Sequence, residues 1–264
     1  MLGRESVPDL GAERFELFFH DPVYLFYKNH LYNYLVRRRI IRRALKDSPQ
    51  RGRTLELGCG ISPMLPGSEQ TVRTDVSWRA LAYLSKCEAS PAVACDATRL
   101  PLIEASFRRV VCSEVLEHIE KDMEVMREMS RLLVKGGELI LTVPARPELF
   151  GFDDSFVGHY RRYELKKLIQ TLSQAGFGNF KIKTVLGRLE KRLMGPAIWL
   201  FSRLRPSVSS KKTQLNTFLR FVAWVLFPVY WLFNWLLVGC VSLQARFTRP
   251  EKAVTILIRC QKQK

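Results

Sequence analysis

Leu55-Glu56-Leu57-Gly58-Cys59-Gly60 is a short apolar run that ends on two glycines one residue apart. Thr54–Leu57 predicts a β-strand, and Gly58 and Gly60 let the chain turn sharply and approach a ligand without an intervening Cβ. A GxG pair alone is a weak signal, and the residues beyond it decide the reading. Thr71–Thr74 is a second strand-like stretch, ending at Asp75, and Ala92–Cys95 a third, ending at Asp96. Arg109–Cys112 is a fourth, ending before Ser113. In a parallel sheet these residues stand together at the carboxyl ends of adjacent strands, where open α/β sheets bind ligands. Asp75 suits a ribose hydroxyl and Asp96 an adenine amino group. The competing reading, that both aspartates merely cap helices, leaves the glycine turn without a purpose.

Outward from this core the chain alternates. Ser77 predicts the cap of a helix through Trp78, Leu81 and Leu84. A helix over 121–133 carries Met123, Met126, Met129, Leu132 and Leu133 on one side, which is core packing. Lys135-Gly136-Gly137 predicts a glycine stop for that helix, and Glu138–Val143 a fifth strand. Tyr163–Ala175 predicts a helix closed by Gly176, Phe180–Leu186 a sixth strand, and Ala253–Cys260 a last one. Strands separated by helices at this spacing imply right-handed crossovers and a parallel sheet. Only 14 residues separate Gly60 from Asp75, so the first crossover helix is very short or absent. Residues 13–46 predict helices, the second starting at Asp21-Pro22. Its closing run Arg37, Arg38, Arg39, Arg42, Arg43 reads as a solvated face favoured by the helix dipole.

At 264 residues the chain allows one large α/β domain plus an elaboration. Its net charge of +17 calls for an anionic partner, either nucleic acid or an anionic membrane surface. Cys59, Cys87, Cys95, Cys112, Cys240 and Cys260 form no CxxC pair, which suits a reduced compartment. MLGRESVPDLGAERFEL shows no basic-then-apolar signal pattern, and a cytoplasmic setting is expected.

The order ELGCG, TDVS, CDATRLPL and VVCSEVLEHIEKDMEVMREMSRLLVKGGELILTVPA resembles the class I S-adenosylmethionine-dependent methyltransferases. It looks most like the broad bacterial and archaeal group related to ubiquinone and glycan or lipid methyltransferases. HYRRYELKKLIQTLSQAGF is similar to the helix after the fifth strand in that group. The resemblance spans roughly residues 50–186 and the last strand. It implies an α/β, Rossmann-like, seven-stranded, mostly parallel sheet with helices on both faces. To this the chain adds an N-terminal helical region (1–50) and a hydrophobic helical insertion (187–252) before the last strand, leaving 51–186 and 253–264 as the methyltransferase domain. The implied cofactor is S-adenosyl-L-methionine. Glu56, Gly58, Cys59 and Gly60 would surround its methionine part, Asp75 and Val76 its ribose, Asp96 and Ala97 its adenine, and Ser113 would lie near the sulfonium. One departure stands out: Ile61-Ser62-Pro63-Met64 supplies no third glycine.

A sulfonium is a strong electrophile, so positioning the acceptor for in-line attack supplies much of the catalysis. A hydroxyl acceptor also wants a base within hydrogen-bond reach, and His118 and His159 are the candidates. Either could instead bond only to neighbouring backbone. Glu114, Glu117, His118 and His159 resemble the ligand set of methyltransferases that hold a diol or catechol on magnesium or manganese. EVLEH is also common in relatives without a metal, where Glu117 and His118 wall the pocket, and no metal is expected.

Residues 221–245 contain no charged side chain, and Arg188, Lys191, Arg192, Arg203, Arg205, Lys211, Lys212, Arg220, Arg246 and Arg249 flank them. Such a run could form a helix of roughly 37 Å, enough to cross a bilayer. In the implied fold the sixth and seventh strands pair antiparallel, so both ends of the insertion return to one side. Pro228 and Asn234 suit a broken or re-entrant helix, and Leu193–Leu204 a second amphipathic element. Tryptophans with basic flanks match interfacial anchoring on anionic lipid; a buried core helix or an oligomer interface is the competing reading. With no RNA-binding module in the chain, a nucleic-acid partner is not expected. The expected function is methyl transfer to a lipid or lipid-linked small-molecule acceptor, by a monotopic or re-entrant enzyme at the cytoplasmic face of a membrane. The alternatives are a non-catalytic cofactor-binding membrane scaffold and a soluble RNA methyltransferase.

Overall fold

The computed structural model describes residues 31–47, 52–193 and 217–263. In chain order its elements begin with α1 (Tyr32–Lys46), β1 (Thr54–Leu57), β2 (Thr71–Asp75), α2 (Trp78–Ser85), β3 (Ala92–Ala94) and β4 (Phe107–Ser113). Next come α3 (Asp122–Leu132), β5 (Leu133–Pro144), α4 (Phe152–Val157), α5 (Leu165–Gln174), β6 (Phe177–Leu186), α6 (Thr217–Phe247) and β7 (Thr255–Lys262). The strands form one seven-stranded sheet in the order β3-β2-β1-β4-β5-β7-β6. The first five run parallel, and β7 lies antiparallel between β5 and β6. This is the expected mostly parallel sheet.

Alternation along the central strands builds two cores. Val110, Cys112, Leu139, Leu141, Val143, Ile256 and Ile258 point to one face, where Met126, Met129, Leu132, Leu168 and Leu172 of α3 and α5 cover them. Val111, Ile140 and Leu257 point to the other face, covered by Tyr34, Val36 and Ile41 of α1 and Val238 and Val241 of α6. Full burial of side chains of this size stabilises by about 1.5–3 kcal/mol each, so both helix layers are strongly held.

Several local expectations meet a different solution. The helix over 121–133 does not stop on its glycines: α3 ends at Leu132, and Leu133 already pairs with Phe107 as the first residue of β5. Burying Leu133 against β4 decides that start, and both residues are almost wholly inaccessible. The glycines lie in a bulge between the pairs Phe107↔Leu133 and Arg109↔Glu138. Gly136 sits at φ +71°, and a Cβ on Gly137 would fall 2.7 Å from the Val134 carbonyl oxygen. Strand β6 starts at Phe177, and β7 runs on to Lys262. The arginine run of α1 is only partly solvated, since Arg37 turns inward to Glu114 at 3.4 Å. The start at Asp21-Pro22 and the Leu193–Leu204 element (apart from Leu193) lie outside the described residues.

No helix forms between β1 and β2. A folded-back turn takes its place, with Ile61, Ser62, Met64 and Leu65 buried. Glu56 holds it from beneath: one carboxylate oxygen accepts from Met64 N at 2.5 Å, and the other faces Arg73 at 3.4 Å. Arg73 donates to the Leu65 carbonyl and to Glu88, and the Tyr34 hydroxyl donates to the Pro63 carbonyl. Burial pushes the Glu56 carboxyl up to about 7, against the pull of Arg73 and of two backbone N–H groups, with Glu88 adding a further push upward. A carboxyl whose folded pKa lies above its unfolded value binds protons more tightly when folded. Its contribution to stability is therefore full below the ordinary carboxylate range and lost as pH rises through about 7. The melting temperature should fall between about pH 6 and about pH 8, and Glu56→Gln should fall less over that window. Parallel calorimetric profiles for the two proteins would refute the assignment.

Candidate active site

The carboxyl ends of β1 to β4 bring the expected cofactor residues to one edge. Gly58 has φ +66° and Gly60 φ +52°, and a Cβ on Gly58 would lie 2.4 Å from Val115 Cγ2. Only glycine fits there, because both the backbone and the neighbouring turn exclude a side chain. Gly58 N and Cys59 N donate to the Thr74 carbonyl, which ties the turn to β2. Asp75 accepts from Gly60 N at 2.7 Å through one oxygen and from Ser77 N at 2.9 Å through the other. The Ser77 hydroxyl accepts from Ala80 N and caps α2, as expected. Asp96 is exposed at the end of β3, with one oxygen accepting from Thr98 N at 2.8 Å. Val76 is exposed, Ala97 half-buried, and Ser113 shares a hydrogen bond with Thr142 at 2.9 Å.

This set fits S-adenosylmethionine. A side-chain-free turn is flanked by Asp75, where the sequence reading puts the ribose, by the exposed Asp96, where it puts the adenine, and by the apolar Val76. Glu56 stands apart: its carboxylate serves the Met64 turn and Arg73, so it shapes the glycine turn from below. Cys59 is buried, and burial pushes its thiol up, with Asp75 and Glu56 pushing the same way.

A second cluster lies beyond β4. Glu114 adopts φ +56°, a left-handed conformation that is strained for a side chain with a Cβ. Beyond it comes a short 3-10 turn, Leu116–His118. His159 arrives from the loop after α4, and its ring lies 4.7 Å from that of His118, edge to face. Tyr160 N donates to the Glu117 carbonyl at 2.8 Å, stitching the two segments together. His118 Nδ1 faces the Gly158 carbonyl at 3.3 Å. His159 Nδ1 faces Asp154 Oδ1 at 2.9 Å, and its Nε2 lies 4.0 Å from Glu117 Oε1.

Asp154 is buried and also accepts from Arg162 Nε, Lys191 Nζ and Gly151 N. Burial alone would raise its pKa, but His159, Arg162 and Lys191 hold it below the usual carboxylate range. An ionised Asp154 takes the Nδ1–H of His159 and so turns its Nε2 toward Glu117. Burial pushes Glu117 well above the usual range, and Glu114 pushes it further. The structure thus joins His118, His159 and Glu117, drawn from two segments far apart in sequence, into one polar group able to take a proton or hold a cation. Asp154, Arg162, Lys191 and Arg37 were not legible as site residues. The one available signal was the pair Asp153-Asp154 just before Gly158-His159.

The model of the family described as "Methyltransferase domain" matches residues 55–141, from β1 through most of β5. An uncharacterized protein of Methanocaldococcus jannaschii is 26% identical over 165 residues, covering 56% of this chain and 76% of that one. Among solved structures, a SAM-dependent methyltransferase of Thermotoga maritima superposes with a TM-score of 0.59 at 17% identity, covering 96% of this chain and 100% of that one. Phosphoethanolamine N-methyltransferase 2 of Haemonchus contortus, in complex with S-adenosyl-L-methionine, superposes with a TM-score of 0.54 at 17% identity, covering 84% of this chain and 51% of that one. At such identities the structural likeness speaks for the fold, while the family match spans the glycine turn, Asp75, Asp96 and the EVLEH segment. Together they show a segment matching a methyltransferase domain over residues 55–141, carried on the fold that S-adenosylmethionine-dependent methyltransferases share.

Proposed function

We propose that this methyltransferase works at the cytoplasmic face of an anionic membrane and methylates a lipid or lipid-linked small-molecule acceptor. The observation that carries this reading is the outward face of α6. Asn234, Val238, Val241 and Ala245 form one buried stripe along the helix. At about 100° per residue, Leu232, Leu236, Leu243 and Phe247 stand on the opposite side, 58–79% exposed. Trp231 and Trp235 are half-exposed on the flank and stack edge to face. A helix apolar on both sides, with one side already packed on protein, has an apolar strip left for another medium. Arg246 and Arg249 lie at its end, in a chain of net charge +17, as attraction to anionic headgroups requires. Among the described residues no helix is long and apolar enough to cross a membrane.

Strand register supports the same reading. Thr255 at the start of β7 pairs with Pro144 at the carboxyl end of β5 and with Leu186 at the end of β6. Residues 187–254 therefore leave and return at the edge of the sheet that carries Ser113, Asp75 and the histidines. An acceptor with an apolar tail anchored along α6 would present its polar end there. In-line attack by its nucleophilic atom on the methyl carbon breaks the carbon–sulfur bond and releases S-adenosylhomocysteine. A hydroxyl acceptor gives up its proton at the Glu117, His118 and His159 group.

Two measurements test this. Titration calorimetry with S-adenosylmethionine should show Asp75→Ala binding at least about tenfold more weakly than wild type, the loss of one charge-assisted hydrogen-bond partner. Equal affinities would remove Asp75 from the cofactor site, and no binding by folded wild type would end the methyltransferase reading. Sedimentation with vesicles containing anionic phospholipid should capture wild type, and Leu236→Gln with Leu243→Gln should weaken capture at least about tenfold. A wild type that stays in the supernatant, or a variant captured equally well, would sink the membrane assignment.

A further inference from the structure

Both carboxylate oxygens of Glu117 and Oε1 of Glu114 are buried without a hydrogen-bond partner among the described residues. Glu117 is fully buried, and His159 Nε2, at 4.0 Å, is beyond hydrogen-bond distance. Glu114 is held at its left-handed φ and uses only its other oxygen, which faces Arg37 at 3.4 Å. Carboxylates are costly to bury in that state, and in a native fold they call for a partner.

A third carboxylate comes from the insertion. Glu190 N donates to the Gly187 carbonyl in the turn that follows β6, and the next residue, Lys191, gives its ammonium to Asp153 and Asp154. Burial pushes the Glu190 carboxyl up to about 7 against the pull of Arg162 and Lys191, with Glu114 and Asp153 adding to the push. Tyr32 of α1 is buried, and its hydroxyl too lacks a partner among the described residues. Burial raises that phenol, and Glu190 raises it further, so Glu190 lies near Tyr32 as well as near Glu114.

Charge gives the sign of the missing partner. Asp153 and Asp154 already occupy Arg162 and Lys191. Among the described residues Arg37 is then the one arginine or lysine within ion-pair distance of the three glutamates. In a chain of net charge +17 this is an acidic locality. Carboxylates from separate segments, with a phenol hydroxyl beside them, suit the several N–H donors of an ammonium.

We propose that Glu114, Glu117 and Glu190 form a subsite for an ammonium group, and that the atom methylated is the nitrogen of a primary or secondary amine at the polar end of the acceptor. The inference rests on the proposed lipid methyl transfer for its use and not for its site. The bound ammonium gives one proton to the Glu117, His118 and His159 group, and its freed lone pair forms the bond to the methyl carbon. The carbon–sulfur bond breaks, its electron pair stays on sulfur, and the positive charge passes to the methylated nitrogen. Glu190 reaches this place because the insertion leaves β6 at the edge where Leu186 pairs with Thr255.

Full-length protein saturated with S-adenosylhomocysteine, in the presence of chelator, is titrated calorimetrically with two probes. Octylamine is an ammonium at pH 7, and octanol shares its tail without the charge. Octylamine should bind at least about a hundredfold more tightly, and Glu190→Gln and Glu114→Gln should each cut that preference about tenfold. Glu164→Gln, which removes an exposed acid paired with Lys167, should leave it unchanged. Should Glu190→Gln fail to fold, judged by loss of S-adenosylhomocysteine binding, Glu114→Gln carries the test. Absence of octylamine binding, octanol bound as tightly as octylamine, or a preference that the folded variants keep in full overturns the subsite and leaves methyl transfer standing. Ethylamine bound as tightly as octylamine upholds the subsite and removes the lipid tail. Octylamine binding by protein that takes up no S-adenosylhomocysteine upholds the subsite and counts against methyl transfer.

Discussion

Thr255 stands in register with Pro144 on one neighbour and Leu186 on the other. Because β7 enters the sheet antiparallel between β5 and β6, the long segment before it has no choice of side. Whatever residues 187–254 do, they begin and end at the carboxyl edge where the parallel strands present the glycine turn, Asp75 and Ser113. A crossover to a parallel strand would have carried the chain to the opposite edge first. The register of one strand thus brings an apolar helix and a polar reaction site to the same rim.

Buried charge shapes the sheet and its rim more than it stabilises them. Ion pairs out of water gain little net stability over apolar packing, but removing one partner leaves a costly orphan. Glu138 clamps β5 to β4 and β7 through Arg109 and Arg259, and Glu56 with Arg73 sets the turn after Gly60. Asp154 sets the ring of His159. In each case a buried pair fixes the direction of a chain or side chain, across 17 and 29 positions for Glu56–Arg73 and Arg109–Glu138 and across five for Asp154–His159. Glu117 breaks this rule, and it does so at the position where two imidazoles converge.

Features governed by local physics were readable from the residues. Alternating apolar strands, the glycine turn, the Ser77 cap and the methionine face of α3 all arise from periodicity and backbone preference. Hidden features depend on contacts distant in sequence. Lys135-Gly136-Gly137 reads as a helix stop, yet pairing of Leu133 with Phe107 draws those glycines into a strand bulge. Glu56 lies beside the glycine turn in sequence, but its carboxylate is engaged by Met64 N and by Arg73, 17 positions on. His118 and His159 were identifiable as reactive types. Their 4.7 Å approach depends on the 117–160 backbone bond and on Asp154, which no local pattern announces.

Helix α1 joins these parts. Its Tyr34 hydroxyl closes on Pro63 behind the cofactor turn, and Arg37, one turn further, reaches Glu114 on the acceptor side. Its apolar face packs in the same core as Val238 and Val241 of α6. A displacement of α6 is therefore felt by α1 through close packing, and α1 touches both halves of the site through single polar contacts. Interiors packed this densely shift between discrete arrangements rather than deform smoothly. One helix thus ties the packing of α6 to the positions of Pro63 and Glu114.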